Sequence, residues 1–159
     1  MRLKTVFYLT AGEGTKMPHV IDRFMGQYAW LSNFYPCNVV YQNSNYKSIE
    51  HAYQASKTLD IEIKRQFQLD ITAGQAKNRG RRIELRADWD SVKIPIMREL
   101  VVYKFALTPT FRDKLLATGY ATLIEGNTWG DRYWGVFKGE GHNHLGKLIM
   151  QVRSELRQL

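Results

Sequence analysis

At 159 residues, with 44% hydrophobic and 24% charged residues, the chain has the composition of a soluble globular protein and the length of one domain with a buried core. No apolar run approaches a membrane span and the N-terminus lacks the pattern of a signal peptide, so no membrane partner is expected. Lys and Arg exceed Asp and Glu by 23 to 15, and the net charge of +8 favours phosphorylated substrates or polyanions, nucleic acid among them. No zinc-finger, basic-zipper or RNA-recognition signature accompanies that charge. The lone Cys37 cannot staple the chain and has no metal-ligand spacing around it; a buried thiol in a reducing cytoplasm is its expected state.

Leu3–Thr10 has a strand pattern, and Ala11–Pro18 reads as a loop; residues 1–20 are read as an extension and 21–159 as the domain. Strands are expected at Cys37–Tyr41 and around Tyr46, separated by Asn43-Ser-Asn45. Ser48 is placed to cap a helix running to about Thr58, and Asp60 to cap a second ending near Leu69. Thr72–Arg82 reads as a short basic helix. Asp88–Leu107 carries the apolar periodicity of a long core helix, with its regular part expected to begin near Pro95. Thr110–Thr118 is helical and stopped by Gly119, Tyr120–Ile124 reads as a strand, and Asn143–Leu159 as a second core helix. The fold class is therefore α+β: a single compact, mostly helical domain with a small β component.

Five segments concentrate chemistry. In Ser48-Ile-Glu-His-Ala-Tyr-Gln-Ala-Ser-Lys57, a helix puts Glu50, Tyr53, Gln54 and Lys57 at i, i+3, i+4 and i+7 on one face, opposite Ile49, Ala52, Ala55 and Leu59. Such a face is either solvated surface or the wall of a polar pocket. After the Tyr120–Ile124 strand, a Gly-rich stretch presents Glu125, Asn127, Trp129, Asp131 and Trp134 together, either as a site or as packed indoles with solvated acids. Lys77-Asn-Arg-Gly-Arg-Arg82 fits phosphate binding or a solvated helix face. Gly139–Lys147 precedes the last helix, whose N-terminus offers N–H groups to an anion; His142 and His144 lack the further ligands a metal would need. Near the start of the domain, Asn33 is suited to reading a heterocycle edge while Phe34 stacks on it, with buried turn packing as the alternative.

Together these segments resemble the NADAR, or YbiA-like, family. Leu31-Ser-Asn-Phe34, Ser48-x-Glu-His-x-Tyr-Gln-Ala-x-Lys57, Ala76-Lys-x-x-Gly80, Asp88-Trp89, Lys104-Phe105, Leu123-Ile-Glu-x-Asn127, Gly130-Asp131, Tyr133-Trp-Gly135 and Gly141-x-Asn-x-Leu-Gly146 occur in the family's order, from about Phe24 to Arg157. The resemblance implies a helix-rich α+β fold and a hydrolase of N-glycosidic bonds, acting on phosphoribosylated aminopyrimidines of riboflavin biosynthesis or removing ADP-ribose from guanine bases. No metal requirement is visible in the sequence, and no cofactor is expected. Val136-Phe-Lys138 lies in a loop that varies across the family and bears on the leaving base.

Breaking a ribosyl C–N bond builds positive charge on C1′ and O4′, which a carboxylate can stabilise while orienting water. Glu50 and Asp131 are the carboxylates in matching motifs, with Glu50 expected as base or cation stabiliser and Asp131 as its partner on water or sugar hydroxyls; the two roles are exchangeable. Lys57 is the candidate for a Schiff-base route. Tyr53 lies on the Glu50 face, Trp89, Trp129 and Trp134 are expected to wall the heterocycle, and Lys77 and Arg79 to hold phosphate, with help from the final helix near Gly146. The rival readings are a module that binds ADP-ribose or a nucleotide without turnover and a nucleic-acid-binding protein, whose binding would fall steeply with salt.

Overall fold

The computed structural model describes residues 18–159, so the Leu3–Thr10 strand and most of the following loop lie outside the described residues. Among the described residues, six α-helices carry the domain: α1 (Ile49–Ala55), α2 (Ile61–Arg65), α3 (Ala73–Gly80), α4 (Trp89–Ala106), α5 (Pro109–Ala117) and α6 (His144–Leu156). Six short strands, β1 (Val20–Ile21), β2 (Val39–Tyr41), β3 (Ser44–Tyr46), β4 (Thr122–Leu123), β5 (Gly126–Asn127) and β6 (Val136–Phe137), form three separate pairs. The class is the expected helix-rich α+β.

Local chemistry explains most boundaries. Ser48 caps α1 by accepting the His51 N–H, Asp60 caps α2 through Glu62 and Ile63, and Thr72 and Gln75 close a reciprocal capping box on α3. Pro109 opens α5, where its missing N–H costs nothing, and Gly119 follows the helix at φ +61°. The β2–β3 hairpin turns on Gln42 and Asn43, both at positive φ, with Tyr41 opposite Ser44. That turn lies one residue earlier than the Asn43–Asn45 spacer suggests.

Several expectations are corrected. α4 runs through Pro95 rather than beginning there, because Trp89 at its start is itself buried, as are Ile96 and Met97 beyond the proline. The first two helices stop short of Thr58 and Leu69; Leu59 falls beyond α1 and is exposed, so it is no part of that helix's apolar face. A 3-10 helix at Gly26–Leu31 and the β5–β6 pair fall in stretches whose sequence shows no period. Val20, placed in the extension, pairs in parallel with Thr122.

The long α4 is the hub. It packs against α1, α5, α6 and β2, and its Met97, Leu100, Val101 and Phe105 are essentially inaccessible. α6 lays Leu145, Leu148, Ile149, Val152 and Leu156 onto this core, and Gly146 lets its first turn approach the Leu123 carbonyl, where no side chain fits. α1 leans on both α4 and α3, so its polar face is turned inward toward the chain rather than to water.

Candidate active site

Glu50, Tyr53 and Gln54 are each at most 6% exposed, which decides between the two readings of the α1 face: it is a pocket wall. The pocket is a cavity of about 530 Å³, within the range of small-molecule sites. One side is α1 with Glu50, Tyr53, Gln54 and Lys57; the facing side is α3 with Gly74, Lys77, Asn78 and Arg81. Ser32, Asn33 and Phe34 from the turn after the 3-10 helix, and Glu125, Trp129, Asp131 and Trp134 from the loop after β4, complete the lining.

Backbone bonds tie these elements together. The Glu50 N–H donates to the Asn33 carbonyl at 3.0 Å, so the α1 N-terminus and the Asn33 turn move as a unit. His51, next in the chain, is committed to structure: Nε2 donates to the Ile71 carbonyl (2.9 Å), leaving Nδ1 to accept from Ser48 Oγ (2.7 Å). The Asn127 side chain clasps the β5–β6 loop, donating to the Asp131 and Val136 carbonyls and accepting the Asp131 N–H. Asn143, left-handed at φ 52°, accepts the Glu125 N–H and donates to the Leu123 carbonyl, fixing Glu125 from the α6 side.

Three carboxyl groups therefore meet at one cavity. Glu50 accepts from Gln54 Nε2 at 2.6 Å. Burial pushes its pKa up, opposed by that amide and by the charges of Lys77 and Lys57. Glu125 is pushed up to about 8, by burial first and then by repulsion from Asp131 and Glu50. Its Oε2 is enclosed and has no hydrogen-bond partner. Asp131 Oδ1 accepts the N–H groups of Tyr133 and Trp134, both at 2.9 Å, while Oδ2 has no donor among the described residues. Asn33 Oδ1 is a further enclosed acceptor without a partner. A chain rarely leaves such oxygens unpaired unless something else supplies the donors.

The aromatic residues divide by position. Tyr53 and Trp134 meet edge to face at 5.5 Å, with the indole N–H donating to the Tyr53 hydroxyl at 3.2 Å. Burial raises the Tyr53 pKa, keeping the phenol neutral. Trp129 and Phe34 stand exposed at the mouth, with Lys77 Nζ over both rings at 5.1 and 5.6 Å. Lys57 lies against the Tyr53 ring, and burial lowers its pKa.

Of the residues expected at the site, Glu50, Asp131, Lys57, Asn33, Phe34, Tyr53, Lys77, Trp129 and Trp134 converge on this cavity. Three do not. Trp89 stands behind Tyr53, ring centroids 5.2 Å apart, supporting the wall rather than forming it. Arg79 donates to the Gln66 carbonyl and lines a different cavity; Arg81 takes the place beside Lys77. Gly146 packs on Leu123, and the N–H groups of Asn143, His144 and Leu145 already donate to the Gly135, Tyr133 and Trp134 carbonyls, so the α6 N-terminus has little left for an anion. His142 and His144 stack on one another at 5.3 Å, and His144 also packs against Tyr133. Glu125 was visible in the Leu123-Ile-Glu motif, but only the fold shows it facing Glu50 and Asp131 across one cavity.

A helix-rich α+β domain with an acid-lined, aromatic-walled and cation-flanked cavity is the class that this fold and site define. The chain belongs to the NADAR domain family, whose model matches residues 22–157. It is 40% identical to an N-glycosidase from Nostoc punctiforme, over 83% of this chain and 88% of that protein. It is 34% identical to a riboflavin biosynthesis protein from Vibrio vulnificus over 82% of this chain, though it spans only 36% of that longer protein. The solution NMR structure of the Escherichia coli protein YbiA superposes with a TM-score of 0.78 at 34% identity, covering 89% of this chain and 88% of that one.

Proposed function

We infer that this protein is an N-glycosidase, a hydrolase that cleaves a ribosyl C1′–N bond, and that its substrate is a phosphoribosylated aminopyrimidine. The observation that carries this reading is the meeting of Glu50, Glu125 and Asp131 at one walled cavity beside Lys77 and Arg81. The names of the relatives from Nostoc punctiforme and Vibrio vulnificus point the same way.

The roles follow from the environments. Glu125, its pKa raised to about 8, carries a proton at neutral pH and gives it to the departing nitrogen. Glu50 is a stronger base than a solvated glutamate because burial raises its pKa, and it takes the proton of the attacking water while its charge stabilises C1′. Asp131, pinned through Oδ1, presents Oδ2 to water or sugar hydroxyls. Lys77 and Arg81 hold the 5′-phosphate, and Tyr53 and Trp134 wall the base. The enclosed Asn33 Oδ1 suits an amino-substituted ring, which brings the donors this acceptor lacks. Proton and bond balance closes: water adds at C1′, the C1′–N bond breaks, and the base leaves with the proton from Glu125.

A second route rests on Lys57. Burial lowers its pKa, and in this route its amine attacks C1′ of a ring-opened substrate, expels the base and forms an imine that water then hydrolyses. Borohydride trapping of a ribosyl adduct on Lys57 separates this route from direct hydrolysis.

The test is product release, followed by mass spectrometry, from the phosphoribosylaminopyrimidine and from ADP-ribosylated guanine in an oligonucleotide, with wild type beside Glu50→Gln. Ribose 5-phosphate released by wild type and lost in the variant supports the assignment. Preferential ADP-ribose release moves the substrate to the ADP-ribosyl class. Binding of both without release from either points to a module that senses its ligand.

A further inference from the structure

The turn that carries Asn33 is pinned along its backbone. The Asn33 carbonyl accepts the Glu50 N–H, the Ser32 carbonyl accepts from Lys104 Nζ, and the Phe34 N–H donates to Ser32 Oγ at 3.1 Å. Asn33 itself is buried. One freedom remains. The oxygen and nitrogen of its side-chain amide exchange places by a half-turn about the last bond, with almost no change of shape.

Met97 decides which way the amide lies. Asn33 Nδ2 donates to Met97 Sδ at 3.6 Å. A thioether carries lone pairs and no proton, so it accepts and cannot donate. The half-turned amide would set Oδ1 against the sulfur, acceptor to acceptor, and take Nδ2 away from its partner. Met97 alone of the α4 residues lines the main cavity, and it is as inaccessible as Leu100, Val101 and Phe105 in the same helix, so the core holds the sulfur in place. Leucine would fill a similar volume there without offering an acceptor. With Nδ2 committed to sulfur, Oδ1 is enclosed and has no partner among the described residues. At that end the side chain receives an N–H and cannot give one.

We propose that Met97 is a specificity-determining residue that acts through Asn33: its sulfur holds the amide with Oδ1 toward the ligand, so the cavity favours a leaving base with an N–H donor at that edge over one without. Met97 is thus a positioning residue, and Asn33 makes the contact. This rests on the reading that the cavity takes a phosphoribosylated aminopyrimidine, and it names the side chain that sets the sense of one contact with the ring. Met97 lies in none of the family motifs found in the chain, and its role shows only where α4 meets the Asn33 turn.

The test compares kcat/KM for ribose 5-phosphate release from the phosphoribosylaminopyrimidine and from analogues in which each ring amino group in turn is replaced by hydrogen. Wild type runs beside Met97→Leu, Asn33→Ala and the double variant. In wild type, one of the replacements is expected to lower kcat/KM about tenfold or more, because Oδ1 is then left unpaired. In Met97→Leu the amide is free to turn over, and that ratio is expected to shrink to within about threefold of one. In the Asn33→Ala background, Met97→Leu is expected to change the ratio by less than about twofold, since the residue through which it acts is gone. A wild type that cleaves the parent and every analogue equally well overturns the proposal without recourse to any variant. An unchanged ratio in Met97→Leu also overturns it, as does an equal loss for all substrates, which would mark a packing role. The same change of ratio with and without Asn33 overturns it too. Failure of the wild type to release ribose 5-phosphate from any of these substrates removes the parent reading along with this one, whereas release without discrimination defeats this one alone.

Discussion

Two groups of buried ionisable side chains flank the turn at Ser32–Phe34, and they solve burial in opposite ways. On one side Lys104, fully inaccessible, donates to the Ser32 carbonyl at 2.9 Å and lies within 5.0 Å of the Phe105 and Phe111 ring centres. Burial drives its pKa down to about 7. On the other side Glu50 and Glu125 are driven up, but they open on a cavity and leave an oxygen of Glu125 unpartnered. A perturbed pKa is common to both groups, so it does not by itself mark a site. Access together with unsatisfied hydrogen-bonding capacity does. Lys104 is a positioning residue that holds the Ser32–Phe34 turn, while the glutamates are the groups we propose to act on a ligand.

The largest effect that separates the two groups is on turnover. Glu50→Gln keeps the shape and the Gln54 contact while removing the charge, and kcat is expected to fall about 10³-fold with the circular dichroism spectrum unchanged. Gly80→Ala is expected to act on the same group from behind. A Cβ there would sit 2.7 Å from Gln54 Cδ, forcing that side chain to turn and release Glu50. A loss of about tenfold in kcat/KM is expected, with a smaller change in Tm; a stability loss without an activity loss would break the link drawn between Gln54 and Glu50.

Lys104 is tested through stability instead. Its folded pKa of about 7 lies below its ordinary 10.5, so the unfolded chain binds more protons between those values. Its contribution to stability therefore rises with pH across that window, by at most about 1.4 kcal/mol per pH unit, and is smallest below it. Urea melts at several pH values should show this rise in wild type relative to Lys104→Met; parallel curves would contradict the assignment. The smallest effect belongs to neither group. Asp60→Ala removes the α2 cap at a cost of about 1 kcal/mol, a Tm shift of about 3 °C, and leaves turnover untouched.

Much of this was legible in the chain. Ser48, Asp60 and Thr72 mark helix starts because short polar side chains satisfy free N–H groups there, a local rule that needs no tertiary knowledge. The i, i+3, i+4, i+7 face of α1 was equally plain, but whether it met water or a cavity depended on α3 packing against it. Arg79 and Arg81 show the limit best. Two residues apart at the end of α3, they are separated by about 160° around the helix axis, and no composition rule says which of them faces α1. β1, β5 and β6 are only two residues each, too short to carry a period, and they exist because distant backbone segments lie alongside them.

We propose that the raised carboxyl group of Glu125 supplies the proton that lets the base leave. The direct measurement is kcat against pH from 5 to 10 on the phosphoribosylaminopyrimidine, for wild type and Glu125→Gln. A group that must be protonated loses activity as pH rises through its pKa, so the wild-type rate is expected to fall above about pH 8. In Glu125→Gln that descending limb should vanish, leaving a rate about 10²-fold lower that no longer falls above pH 8. An alkaline limb that persists unchanged in the variant would show that the proton comes from elsewhere.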